Sequence, residues 1–196
     1  MRGDYRDPLV GRDILIGAAA AGLIMIGSEL TPAVLRWMGR PFEITLNPGT
    51  SIMGSHFVGR FTAQLSAGLF LSFITLFLLL LLVILLRRES LALVLLWLLM
   101  TLFATLVGDA GLVPLPSAAL STLIVLFVLY RYGLLALCST MFISHIWVFY
   151  PMTTELKAWY ALDFVIAAVL CTVLAAYGCY TSLAGQSPFS GRSLDD

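Results

Sequence analysis

The chain has 196 residues, of which 60% are hydrophobic and 11% charged, with a mean hydropathy of +0.99 and a single lysine, Lys157. Apolar runs this long exceed what a soluble core element can use and place the chain in a lipid bilayer. Eleven basic against eleven acidic residues give no field to neutralise phosphates, so nucleic acid is excluded as a partner. Three cysteines, Cys138, Cys171 and Cys179, fall inside apolar segments without CxxC spacing. They read as small packing residues, neither a disulfide framework nor a metal site.

In chain order, the first feature is "RDPLVGRD" at 6–13, four charges in eight positions. It reads as a cytoplasmic lead-in: Pro8 blocks a regular helix upstream, Asp13 caps a helix that starts at Ile14, and Arg6 and Arg12 lie against lipid headgroups. Balanced charges before the first apolar stretch and no small-residue cleavage site after it argue against a cleaved signal peptide. The apolar blocks that follow are measured against the roughly 20 residues that cross about 30 Å of hydrocarbon. Ile14–Leu35 is the first, interrupted by Glu29 and Pro32. Between Arg36 and Arg60 lies "RPFEITLNPGTSIMGSHFVGR", whose mixed polarity suits a re-entrant or interface-lying segment.

Phe61–Leu86 is the second block, and Leu91–Gly108 the third, short but adequate if upright. Leu112–Tyr130 is the fourth, opened by Pro114 and Pro116, whose missing donors suit a first helical turn. Tyr132–Tyr150 is the fifth and Trp159–Tyr180 the sixth. The turn at "YRYG" is tight, and merging the two blocks there would reduce six spans to five. That single helix would be roughly 48 Å long at 1.5 Å per residue, too long for one crossing, so six spans are kept. The fold expected is therefore an all-α polytopic membrane bundle of about six helices. It comprises a juxtamembrane segment (1–13), the bundle (14–180) and a cytoplasmic tail (181–196).

Arginine placement sets the orientation, because cytoplasmic loops retain Lys and Arg. With the amino terminus inside, Arg2, Arg6, Arg12, Arg87, Arg88, Arg131 and Arg192 are inner, and Arg36, Arg40, Arg60 and Lys157 outer. Both termini are thus expected in the cytoplasm, at the inner membrane. Arg87, Arg88 and Arg131 read as anchors at that surface, and the Trp and Tyr residues around the last three spans fit interface depth.

Charged or titratable groups at membrane depth are expensive and point to function by default. Glu29, His145 and Asp163 fall at a similar depth near the outer ends of spans one, five and six. They could surround a small polar cavity in which His145 shares a proton with Asp163 and Glu29 faces an entering cation. The structural alternative is that each reaches the nearby interface or caps a helix end. Asp109 in "GDAG" reads as a turn former, without a second ligand nearby in sequence for a metal. The serines in "SAGLF" and "SLAG" lack the base and orienting acid of an activated nucleophile. No cofactor-binding pattern stands out. Small residues recur every four positions at Gly17/Ala21, Ala18/Gly22 and Ala168/Thr172/Ala176, faces that suit close packing on other spans or on a second copy of the chain.

Four stretches, "RDPLVGRDILIG" (6–17), "RYGLLAL" (131–137), "FYPMTTELKAWYA" (149–161) and "YTSLAGQSPF" (180–189), together resemble the carboxyl-terminal membrane region of a group of bacterial serine/threonine protein kinases. The resemblance covers nearly the whole chain. It implies a cytosolic kinase domain as a partner in cis, and an anchoring, sensing or interaction role for the helices. No kinase residue carries over: the Gly-rich phosphate loop, the phosphate-pairing lysine, the HRD-type loop and DFG are all missing from these residues. The chain is therefore expected to be noncatalytic. A small multipass transporter or channel component is the alternative. It calls for a polar path through the bilayer, whereas the inner half of each span carries charge only at its end.

Overall fold

The computed structural model describes residues 8–37, 39, 57–106, 115–149 and 161–182. Within them the chain forms six helices: α1 Pro8–Trp37, α2 Phe57–Leu86, α3 Glu89–Leu106, α4 Leu115–Tyr132, α5 Leu134–Phe149 and α6 Ala161–Ser182. No strand occurs among the described residues. Helices are what apolar sequence of this length must form in hydrocarbon, where each backbone N–H and C=O has to find its partner within the segment. Five of them, all except α5, are long and apolar enough to cross a bilayer. The fourth and fifth blocks are separate helices, so the single long helix is ruled out.

Inter-helix contacts fix an alternating up-and-down path. The start of α1 lies against the end of α6: a Cβ on Gly11 would meet Thr181 Oγ1, and one on Gly178 would come within 3.2 Å of the Gly11 carbonyl. Gly17 packs on Ala136 and Ser139 in the first half of α5, whereas Gly27 packs on Leu120 near the start of α4. Helix α5 is therefore parallel to α1, and α4 antiparallel to both. Gly68 of α2 meets the backbone of Phe142 late in α5, so α2 is antiparallel to α5. The end of the bundle holding Pro8 and Ser182 is called the near end below, the other the far end.

Two near-end reversals are extremely short. Between α2 and α3 only Arg87 and Arg88 are non-helical; Arg87 adopts a left-handed φ of 53°, and its N–H donates to the Val83 carbonyl at 2.9 Å. Between α4 and α5 a single residue, Gly133 with φ 90°, makes the turn. Its N–H donates to the Val128 and Leu129 carbonyls, and its own carbonyl accepts from Leu137 N–H at 3.2 Å. One residue thus closes α4 and opens α5, a conformation glycine adopts without steric cost.

Two sequence expectations change at α1. Pro8 is the first helical residue and does not precede the helix, and Asp13 lies within the first two turns, so it is no N-cap. Proline is at home in a first turn, where its absent N–H leaves nothing unpaired. Asp13 instead accepts from the Arg12 guanidinium at 3.1 Å. Nor does Pro32 end the helix, which runs on to Trp37. In α4, Pro116 takes the second position, as its missing donor suggests.

Large apolar side chains cover the outside. Phe70, Phe73, Phe77, Ile84 and Leu85 on α2 are all more than half exposed, Ile84 and Leu85 at 75%. Small polar side chains sit inside: Ser72, Thr75 and Thr140 are fully buried, and Thr101, Thr105, Ser139, Ser144 and Thr181 nearly so. This inverts the soluble pattern and is stable only where hydrocarbon surrounds the bundle. The main apolar cluster fills the near half, with Leu79 and Leu82 (α2), Ala92 and Leu96 (α3), Val125, Leu126, Val128 and Leu129 (α4) and Ala136 and Leu137 (α5). A smaller one at the far end joins Ile146 and Ala167 to Phe61, Phe142 and Cys171.

Candidate functional site

Most interior hydroxyls are satisfied locally and carry no chemistry. Ser72, Thr75, Ser139 and Thr140 each donate to the carbonyl four residues back, at 2.8, 2.7, 3.1 and 2.8 Å. Such back-bonding closes a hydroxyl on its own helix and lets it face a neighbour without an unpaired group. Two contacts between helices go further. Thr101 and Thr122 share a hydrogen bond of 2.8 Å, and Trp97 Nε1–H donates to the Ala119 carbonyl at 2.9 Å, tying α3 to α4.

The polar pair of most interest lies at the far end, where His145 Nδ1 is 3.2 Å from Gln64 Oε1. Helix α5 supplies the imidazole and α2 the amide, 81 residues apart in sequence. With the amide oxygen facing the ring, Nδ1–H is the donor and Gln64 Oε1 the acceptor. The helices can approach here because Gly68, one turn along α2 from Gln64, leaves room for the Phe142 backbone, its missing Cβ lying 3.3 Å from Phe142 Cα. Phe61 closes over the same place, its ring edge-to-face with Phe142 at a centroid distance of 5.7 Å. The pair is thus walled by apolar side chains on the far-end cluster, at the level where α6 contributes Ala167 and Cys171.

One further group is unusual. Ser144, next to His145, is 8% exposed, and its Oγ has no hydrogen-bond partner. A buried unpaired hydroxyl costs about 1–3 kcal/mol of desolvation, so it stands apart from the back-bonded serines and threonines around it.

Of the groups expected at this level, His145 is in the interior and joined to Gln64. Glu29 is on α1 with its side chain exposed. Asp163 is in the first turn of α6, and its side chain lies outside the described residues, as do Arg6 and the 40–56 stretch within the expected re-entrant segment. Arg87, Arg88 and Arg131 are exposed at the near-end turns, and Arg12 is exposed beside Asp13. Gln64 carries no charge and belongs to no motif, so it does not stand out in the sequence as His145 does. An amide in a 26-residue span whose other polar residues are serines and threonines is itself a signal, since it is too large to close on its own helix and must find a partner away from water. Among the described residues no group of three His, Cys, Asp or Glu side chains could hold a metal ion.

The chain matches no protein-family model, no curated protein and no solved structure. Function is therefore read from these residues and their arrangement.

Proposed function

We propose that the chain is a noncatalytic, multipass membrane module, an anchor that also relays helix rearrangement from the far end of the bundle to the near end. The observation that carries this is the position of α1. It runs unbroken for 30 residues, about 45 Å, and packs closely on α4, α5 and α6 along its length. Its glycines make those contacts rigid: Gly17 against α5, and Gly11 against α6 at the near end. A shift at the Gln64–His145 pair moves α5, α5 moves α1, and α1 carries the shift to its own first turns, "PLVGRD", which pack on the end of α6. Packed small-residue interfaces have discrete arrangements and do not deform continuously, so a small displacement is passed on instead of absorbed.

In this proposal the near end, with Arg12, Arg87, Arg88 and Arg131, faces the cytoplasm by the positive-inside rule. Both termini emerge there, and the partner acted upon is a cytosolic domain in cis, such as the kinase implied by the resemblance. A transporter or channel component is the second reading. What favours it is the unpaired Ser144 hydroxyl beside the His145–Gln64 pair, a beginning of a polar path. Against it stands the near half, filled by the main apolar cluster.

The test uses the intact chain in proteoliposomes, with spin labels at Leu9 and Ser182 and the native cysteines replaced by serine. The relay predicts that Gln64→Ala changes the label distance distribution while proton and monovalent-cation flux stays at the level of empty liposomes. An unchanged distribution refutes the relay. Flux that depends on His145 or Ser144 replaces it with the transport reading.

A further inference from the structure

We propose that the outer face of the α3–α4 pair is a binding site for one anionic phospholipid, its acyl chain lying between the helices and its headgroup on the near-end arginines. The site rests on the bilayer placement of the bundle and not on the relay. A groove of about 260 Å³ runs there, lined by Leu93, Val94 and Trp97 on α3 and Leu123, Phe127 and Tyr130 on α4. Except for the Tyr130 hydroxyl, it offers no polar group to orient a solute, because the Trp97 N–H is already given to the Ala119 carbonyl. It is also smaller than the 300–1,000 Å³ of ordinary small-molecule pockets. A narrow apolar slot between two helices suits a linear hydrocarbon chain.

The register of the two helices decides which lipid. Thr101 lies opposite Thr122, and the helices are antiparallel. At 1.5 Å per residue, Arg131 is about 14 Å and Arg88 about 20 Å beyond that contact, in the same direction. They therefore stand within about one turn of each other, just above Tyr130 and Leu93 at the near-end mouth of the groove. Arg87 joins them through the two-residue turn between α2 and α3. Glu89, the first residue of α3, is the acidic group at this mouth, so three arginines and one glutamate leave two net positive charges. Asp13, the acidic side chain on α1 toward the same end, is engaged by Arg12. A single turn of Tyr130 and Leu93 separates the charged mouth from the greasy slot, the spacing of a phosphate from the first methylenes of its chain. The Tyr130 hydroxyl, 62% exposed for the residue as a whole, sits at the height of the glycerol and ester groups.

Trp97 lines the slot and reports on its occupant. Trp37, Trp147 and Trp159 are replaced by phenylalanine, and the single-tryptophan chain is reconstituted in phosphatidylcholine vesicles holding a minor fraction of phosphatidylglycerol. In one series the bromine label is on the phosphatidylglycerol chains, in the other on an equal fraction of phosphatidylcholine. Brominated phosphatidylglycerol is expected to quench Trp97 as though enriched roughly tenfold over its mole fraction, the screened effect of two net charges at the headgroup. Brominated phosphatidylcholine is expected to follow its mole fraction. In the Arg87→Gln, Arg88→Gln, Arg131→Gln variant the preference disappears, and Leu123→Phe, which narrows the slot without touching the charges, reduces it. Equal quenching by both lipids overturns the proposal, as does a preference that survives loss of the arginines. A preference lost in the arginine variant but untouched by Leu123→Phe overturns the groove as the chain's seat.

Discussion

The close approach of α1 to α5 gives the most direct test of the packing. Gly17 stands where a Cβ would lie 2.6 Å from Ser139 Cβ, 2.7 Å from the Ala136 carbonyl oxygen and 3.1 Å from Thr140 N. Carbon atoms rest at about 3.5–4.0 Å, so Gly17→Ala demands about 1 Å of separation. Two of the three obstructing atoms are backbone, locked into the α5 hydrogen-bond ladder, so no rotamer change relieves the clash and the helices must part. A gap of 0.5–1 Å forfeits roughly a quarter to a half of each contact's attraction along the interface, which together with residual strain puts the cost at about 2 kcal/mol. Gly22, in the same helix a turn and a half later, has no atom within 4 Å of a Cβ. Gly22→Ala makes the same chemical change with nothing to clash and is expected to be neutral or to stabilise by up to about 1 kcal/mol, the usual gain of alanine over glycine within a helix. Unfolding of the two variants in mixed micelles, titrated with sodium dodecyl sulfate and followed by near-ultraviolet circular dichroism, measures both. Equal stabilities would refute the assignment of the Gly17 face to the α1–α5 interface.

Substitutions at four further positions have expected outcomes in the same assay. Gly133→Ala meets no neighbouring atom but must hold φ near 90°, so it costs about 1–2 kcal/mol through the backbone alone, while Gly133→Asn costs less. Arg87→Gly removes a side chain from a left-handed residue and stabilises by up to about 1 kcal/mol; a loss would mean that the arginine makes a compensating contact. Gln64→Leu removes the acceptor facing His145 and costs about 0.6 kcal/mol, the usual worth of a hydrogen bond between membrane helices. Ser144→Ala, which deletes an unpaired buried hydroxyl, is neutral or stabilising.

What the sequence shows and hides here follows from the solvent. Hydrocarbon imposes helices on every long apolar run, so existence, order and approximate limits of the elements are legible: Phe61–Leu86 is contained in α2 and ends at the same residue, and Leu91–Gly108 brackets most of α3. Apolarity does not, however, distinguish inside from outside, because both are greasy. Thus Gly17 and Gly22 look alike in sequence, yet one is pressed against α5 and the other faces outward. Ala168, Thr172 and Ala176 form a regular small-residue row, of which Thr172 and Ala176 are exposed on α6. The charged cluster at Arg12–Asp13 reads as a helix boundary because acids cap helices, but a local ion pair lets both side chains lie on the first turns. His145 was visible as a titratable group in an apolar span. Its partner was not, since an amide 81 residues away is linked to it only by the way α2 and α5 cross at Gly68.

Helices α5 and α6 differ in how they are held in the bundle, and this sets which of the two comes apart first. With 16 residues, α5 spans about 24 Å, less than the roughly 30 Å hydrocarbon core. Exposed to lipid, its terminal carbonyls and N–H groups would fall short of water. It is instead wrapped by α1, α2 and α4, with Ala136, Leu137 and Thr140 wholly buried, so it can also carry Ser139, Thr140, Ser144 and His145 at depth. Helix α6 has 22 residues but packs chiefly on α1, at Gly11 and Gly178, and presents Val165, Val169, Thr172 and Val173 outward. Regions with few buried contacts open first. At detergent concentrations below the main transition, α6 amides are therefore expected to exchange hydrogen for deuterium while α5 amides stay protected, and Gly178→Ala, whose Cβ would press to 3.2 Å on three α1 atoms, widens the interval between them. Loss of α5 protection before or together with α6 would mean that the short central helix is not the keystone of the bundle, and that the route from the His145–Gln64 pair to the start of α1 does not pass through it.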